Sequence, residues 1–332
     1  MESSLPSRYR LRILTQNLWH GLDHTNPYVM WPAENFAVGW HRTQAQKTGL
    51  RALLETDANP EQVLQVFCLQ EINPLNRKLK NLKKDLSMEG VGVPINVGIR
   101  AGEISYPLFL QDGVGILWKG GLKNPQSESR ILSGSASEWK TPAPLSIPVT
   151  LQLAERRGAI LVSGEWAGKT FTFANLHLHN GSPAKKECST RRSREVDTLM
   201  EWMDQWIQKS DATFISGDFN CEHGHAELSP LISAGFEEVL TALGEPIATW
   251  DPKINPIAGA SLSKSDAQDR EWDSKAHQID HIFYKAKGKS WGKREDSRPP
   301  WTFRVERVFD KPILGAWASD HFGLMAEISW TV

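Results

Sequence analysis

The chain has little cysteine for its length: three residues, Cys68, Cys188 and Cys221, among 332. Three cannot all pair and none stands in a Cys-x-x-Cys arrangement, so no disulfide framework is expected and a reducing compartment fits best. Charge of one sign is missing too. Thirty-eight Lys+Arg against 39 Asp+Glu leave a formal net charge of -1, without the basic excess that marks a nucleic-acid binder or the acidic tail that marks a basic partner. Composition therefore does not choose a substrate. No window is long and apolar enough for a transmembrane helix, and Met1 to Arg10 carries no apolar run of the kind a signal peptide needs. A cytoplasmic location and a monomer are expected. Neither an internal repeat nor a linker divides the sequence. One catalytic domain over residues 11–332, behind an N-terminal tail of residues 1–10, is the expected organisation.

What the sequence does have is a series of apolar runs that stop on polar residues. Ala212 to Ser216 is a short apolar segment of the kind that forms a buried strand, and Gly217-Asp218-Phe219-Asn220 follows it. Alternate residues of an extended segment point the same way, so Asp218 and Asn220 project together from a sheet rim. An Asx turn closing a strand accounts equally well for Gly-Asp-x-Asn alone. The pattern recurs, however. Arg12 to Thr15 runs into Gln16-Asn17, Val63 to Leu69 into Gln70-Glu71, and Phe171 to Leu176 into His177. Asp280 lies in the strand Gln278 to Tyr284, and Asp320-His321 precedes the strand Phe322 to Trp330. Scattered surface charge would not collect at strand ends, and the arrangement predicts one shared polar cleft.

Between these strands, helices are expected at His41 to Glu55, Asn76 to Met88 and Ser189 to Gln208, with a short one at Leu228 to Ala234. Further strands are expected at Gly113 to Trp118, Val149 to Leu153, Ala159 to Gly164 and Thr302 to Val308. His20 to Trp40 and Gly244 to Trp272 read as long loops, and Gly120 to Pro148 as loops with edge strands. Strands alternating with helices predict a sheet-based α/β domain.

Taken in order, Thr-Gln-Asn-Leu-Trp, Leu-Gln-Glu, Asn-Leu-His-Leu, Gly-Asp-Phe-Asn, Gln-Ile-Asp-His and Ser-Asp-His resemble the endonuclease/exonuclease/phosphatase superfamily, the deoxyribonuclease I-like group. The resemblance runs from about Leu11 to Ile328. It implies a four-layered α/β sandwich, two mixed β-sheets packed face to face with helices on the outside. It also implies a magnesium-dependent phosphodiesterase, with manganese as a possible substitute, in which an activated water attacks the phosphorus in line. A phosphodiester is an anion that resists attack, and its leaving oxygen gathers charge. Magnesium takes one or two carboxylates and accepts phosphate oxygens as its remaining ligands.

By this resemblance Glu71 is the main metal ligand, with Asn17 and Asp320 beside it. Asp218 orients or deprotonates the water, and Asn220 donates to the phosphoryl oxygens. His177 and His321 brace the non-bridging oxygens; Asp280 partners His321, and Asp112 is the candidate partner of His177. Asn17, His179 and Trp250 are candidates for substrate contact. Other readings stand beside these. His179 fits loop structure, His281 should face away from its neighbour Asp280 and pack, and His223 and His225 either line the cleft or do not. Arg191, Arg192 and Arg194 open a helix, most of them toward solvent. Trp19, Trp31, Trp40 and Trp250 form either an aromatic rim or ordinary buried packing. The expected substrate is a nucleic acid or a phospholipid-type headgroup, the latter a sphingomyelinase-like activity. A catalytically dead binding module is the reading from another class. The presence of Glu71, Asp218, Asn220, Asp320 and His321 speaks against it.

Overall fold

The computed structural model describes residues 8–19, 33–54, 59–96, 99–101, 104–106, 112–134, 152–153, 156–182, 185–240, 246–261, 271–272, 274–287 and 301–331. Two six-stranded mixed sheets organise them. The first runs in the order β14 (Trp301–Val308), β15 (Gly323–Thr331), β1 (Arg8–Asn17), β2 (Val63–Gln70), β6 (Asp112–Lys119), β3 (Glu89–Asn96). The second runs β12 (Glu237–Glu238), β13 (Asp280–Ala286), β11 (Ala212–Asp218), β10 (Lys169–His177), β9 (Arg157–Trp166), β7 (Lys123–Ser133). A small third sheet joins β5 (Ile104–Tyr106), β4 (Ile99–Ala101) and β8 (Gln152–Leu153).

The near-continuous apolar runs are explained by burial on both faces of each sheet. Leu11, Ile13, Val66 and Cys68 of the first sheet meet Val162, Phe173, Phe214 and Ile282 of the second in one core. The alternate residues point outward. Leu14, Phe67, Leu69 and Leu117 pack with Ala45 and Leu50 of α1 (Ala33–Leu53) and with Leu79 and Leu82 of α2 (Leu75–Leu86). Leu161, Leu176, Ile215 and Phe283 pack with Val196, Leu199 and Met203 of α3 (Lys186–Lys209) and with Leu231 of α4 (Ser229–Ser233). Helix, sheet, sheet, helix gives the four-layered sandwich that the resemblance implies.

The structure changes several boundaries. β1 begins at Arg8, so residues expected in the tail pair with Thr331, Trp330 and Ser329 of β15. α1 begins at Ala33, which places Trp40 in a helix and not in the loop expected there; Trp31 lies outside the described residues. β3 had no counterpart in the sequence reading. Its glycines hide the apolar alternation, yet Gly90 and Gly92 sit close under Leu117 and Leu79, where a Cβ would come to 2.4 and 2.8 Å.

A buried polar contact fixes how the sheets face each other. Asn175, two residues before His177, donates to the carbonyls of Leu69 at 2.9 Å and Gly115 at 2.8 Å, and accepts from Gln70 Nε2 at 2.6 Å. Three of its hydrogen-bonding positions are thus satisfied by the opposite sheet, immediately beside the residues that lead into Glu71 and His177.

Candidate active site

Strand register assembles the site. The parallel pairing of β10 with β11 sets His177 opposite Asp218, and the antiparallel pairing of β11 with β13 sets Asp218 opposite Asp280. Three polar residues therefore occupy one cross-strand row at the end of the second sheet. In the first sheet Asn17 lies opposite Gln70, and the chain turns at Glu71 with φ 51°, a left-handed conformation uncommon for glutamate. Gly217 permits the approach of β11 to β10, since a Cβ there would lie 2.1 Å from the Leu176 oxygen.

Asn17 joins the two sheets' contributions. Its Nδ2 donates to Glu71 Oε1 at 3.2 Å and to Asp218 Oδ2 at 3.0 Å, while its Oδ1 accepts the Trp19 N–H at 2.8 Å. Carboxylates accept only, so the amide nitrogen must be the group that faces them. His177 Nε2 stands 3.9 Å from Glu71 and 3.5 Å from Asp218. His321 Nδ1 donates to Asp280 Oδ2 at 2.8 Å, with its Nε2 3.9 Å from Asp218. Asp218 Oδ1 accepts the Asn220 N–H at 2.9 Å, and Asn220 Nδ2 donates to the Leu178 carbonyl at 3.1 Å. Glu71, Asn17, His177, Asp218, Asn220, Asp280 and His321 are thus brought together as the sequence predicts.

The charges in this pocket oppose one another. Burial pushes Asp218 up to about 7, the charge of Asp280 adds to the rise, and His321, Asn17 and the Asn220 amide oppose it. Burial also raises Asp320; His321 lowers it and Glu71 raises it further. His321 is held well above the usual histidine range: burial works against its charge, but Asp280, Asp320 and Asp218 outweigh it. Carboxylates that raise one another are a set short of positive charge. The ligand atoms of Asp218, Asp280 and His321 also lie within 4.8 Å of one another.

Other expected residues are placed differently. Trp250 is 9% exposed and packs with Ala258 and Ile279, so it is not part of an open aromatic rim. Its backbone bridges to His277 and His321. Asp112 is buried at the first position of β6. The His179 N–H is held by Glu195 at 2.7 Å, and its side chain is half-buried. His281 faces the other side of its strand: Nδ1 meets Glu238 at 2.5 Å and Nε2 the Cys221 carbonyl at 2.8 Å. Arg192, on a helix start read as mostly solvent-facing, is fully buried and donates to the His179 and Gly181 carbonyls and to Glu227.

Two contributors lie outside the residues predicted for the site. Arg157, at the start of β9, is buried with Nη1 3.1 Å from His177 Nε2 and 3.2 Å from Nδ1, and Nη2 donates to Asn180 Oδ1 at 3.1 Å. A permanent positive charge thus stands where the sequence suggests only a histidine. Thr249 Oγ1 accepts the N–H groups of Ile279 and Asp280 at 3.1 and 3.0 Å and fixes the entry to β13.

Two stacked mixed sheets with a carboxylate, amide and histidine pocket at one end define the architecture of a phosphoester hydrolase of the deoxyribonuclease I-like fold. The chain belongs to the Endonuclease/Exonuclease/phosphatase family, whose model matches residues 14–321; members of that family are generally phosphoester hydrolases. Among solved structures, D. rerio TDP2 complexed with single strand DNA product is similar over 96% of this chain and 98% of its own, at 19% identity and a TM-score of 0.58. Truncated Caenorhabditis elegans TDP2 covers 96% and 97% at 14% identity and TM-score 0.57. An endonuclease/exonuclease/phosphatase from Bacteroides vulgatus covers 96% and 98% at 13% and 0.57. At such identities these likenesses show the fold. No curated protein sequence matches the chain.

Proposed function

We propose that the protein is a magnesium-dependent phosphodiesterase acting on nucleic acid. The observation that carries the reading is Asn17 Nδ2, which holds Glu71 and Asp218 from opposite sheets in a single pocket. The donor set suits a hard cation. Glu71 and Asp320 are oxygen ligands whose mutual repulsion a divalent ion relieves. The other grouping, Asp218 with Asp280 and His321, includes an imidazole committed to Asp280 and held protonated, which suits hydrogen bonding better than ligation. Glu71 and Asp320 would hold the magnesium, with Asn17 steadying Glu71; manganese would serve in its place. When bound, the ion supplies charge neutralisation for the phosphoryl oxygens.

The protein's own groups supply the rest. Asp218, with its affinity for a proton raised to about 7, accepts one from the attacking water near neutral pH. Protonated His321, oriented by Asp280, donates to a non-bridging oxygen; His177 and the adjoining Arg157 do so from the other side. Asn220, fixed by Leu178 and Asp218, keeps an N–H for the phosphoryl group. Asp112 serves as a support for His177, and His179 borders the substrate path, while Trp250 acts through its backbone bridge to His321. The choice of nucleic acid draws support from the DNA product in the D. rerio TDP2 structure. A panel of single-stranded DNA, duplex DNA, RNA and sphingomyelin, each with and without magnesium, tests it. Metal-dependent cleavage of a nucleic acid is expected. Turnover of sphingomyelin alone would reassign the substrate, and absence of turnover on all four would favour a binding module.

A further inference from the structure

Two cations on the outer helices, Arg42 and Lys78, make no close ion pair among the described residues, although the charges of Asp320 and Glu71 reach them. Gln46 of α1 donates to the carbonyls of Leu18 at 2.6 Å and Ala318 at 2.7 Å, so this face of the helix is fastened to the loops that carry Asn17 and Asp320. Arg42, one turn earlier on the same face, lies over the Trp19 ring with its guanidinium carbon 4.0 Å from the centroid. Trp19 is in turn held to Asn17 by its N–H. The Arg42 Nε is buried with no hydrogen-bond partner among the described residues, a condition that calls for an explanation. Lys78 of α2 is half-buried and within electrostatic reach of Arg42. Burial, and then the charge of Arg42, lower Lys78 to about 7 against the pull of Glu71. Burial lowers Arg42 to about 10 against Asp320. Neither forms an ion pair within 4.0 Å among the described residues.

We infer that Trp19, Arg42 and Lys78 form a phosphate-binding subsite beside the catalytic pocket, taking a phosphate group distinct from the one being cleaved. Arg42 and Lys78 repel each other, and an oxyanion between them turns that repulsion into attraction. A guanidinium backed by an aromatic face presents its fork in one orientation, which is how arginine selects phosphate over a simple anion. The scissile group belongs with Asp218 and His321. A phosphate bound on the Trp19 side of Asn17 is therefore a neighbouring one: the flanking phosphate of a polynucleotide, or a free phosphomonoester. The nucleic-acid source rests on the function proposed above, whereas the subsite does not.

Thermal unfolding of the full chain in EDTA, with inorganic phosphate added at constant ionic strength, tests the subsite first. Phosphate is expected to raise the melting temperature of the wild type. Arg42→Gln and Lys78→Gln, each checked for folding by circular dichroism, are expected to weaken the apparent affinity about tenfold, and Asp218→Asn to retain it. No rise with the wild type, an unchanged rise in both variants, or a rise lost in Asp218→Asn would overturn the assignment. Binding in EDTA to single-stranded DNA carrying one neutral methylphosphonate linkage at a time then separates the sources. If a flanking phosphate occupies the subsite, one linkage weakens the wild type about tenfold and leaves Arg42→Gln unaffected. A phosphate response without DNA binding keeps the subsite, assigns it to a phosphomonoester, and removes the nucleic-acid reading.

Discussion

Gln70 Nε2 donates to Asn175 Oδ1 at 2.6 Å across the space between the two sheets. Gln70 immediately precedes Glu71, and Asn175 stands two residues before His177 on a strand whose register partner at His177 is Asp218. With the Asn175 bonds to Leu69 and Gly115, this contact ties the metal-binding half of the pocket to the proton-accepting half. Asn175→Ala leaves the Gln70 amide and the Leu69 and Gly115 carbonyls buried without that partner. Each such group costs about 1–3 kcal/mol, so a loss of about 3 kcal/mol is expected in urea denaturation, together with reduced turnover. A loss below about 1 kcal/mol would mean that the sheets are held apart by packing alone.

Asp218 links catalysis to stability. In the fold it gains its proton near 7, against an ordinary 3.8, so between these values the native state binds more protons than the unfolded chain. Stability contributed by this group therefore falls as pH rises from about 4 to about 7. Without metal, the wild type is expected to melt progressively lower across that range. Asp218→Asn, which cannot ionise, should lose most of this slope and almost all turnover while remaining folded. Equal slopes for the two proteins would contradict the assigned environment of Asp218.

Arg157 should matter through shape as well as charge. Its fork reaches His177 and Asn180 together, and lysine offers no such planar pair of donors. Arg157→Lys is expected to lower kcat on bis(p-nitrophenyl) phosphate about a hundredfold with little effect on the melting temperature. Full activity in the lysine variant would reduce Arg157 to packing.

The residues of the site were legible because each stands where an apolar strand stops. Strand ends on one rim of a sheet converge, so Asn17, Glu71, His177, Asp218 and His321 could be grouped without coordinates. Arg157 could not. It lies in the short connection between the expected strands Val149 to Leu153 and Ala159 to Gly164, and its neighbour Arg156 looks the same in sequence. Asn175 lies inside an apolar run where an amide has no visible reason, because its partners are backbone carbonyls of another sheet. Arg192 reads as a surface charge at a helix start, and only the Glu227 carboxylate and two carbonyls reveal why it is buried. Strand β3 escaped because glycines replaced the side chains that would have marked its faces. Trp40 reads as loop in the sequence because it closes an irregular stretch that carries Trp31 and Pro32.

The central claim is that Glu71 grips a divalent cation in the same pocket in which Asp218 activates water. Turnover of bis(p-nitrophenyl) phosphate across a magnesium titration, for the wild type and Glu71→Gln, tests it most directly. Activity that vanishes in EDTA and a magnesium requirement raised at least about tenfold in Glu71→Gln are the predicted results. Identical magnesium curves for the two proteins, or undiminished turnover in EDTA, would contradict it.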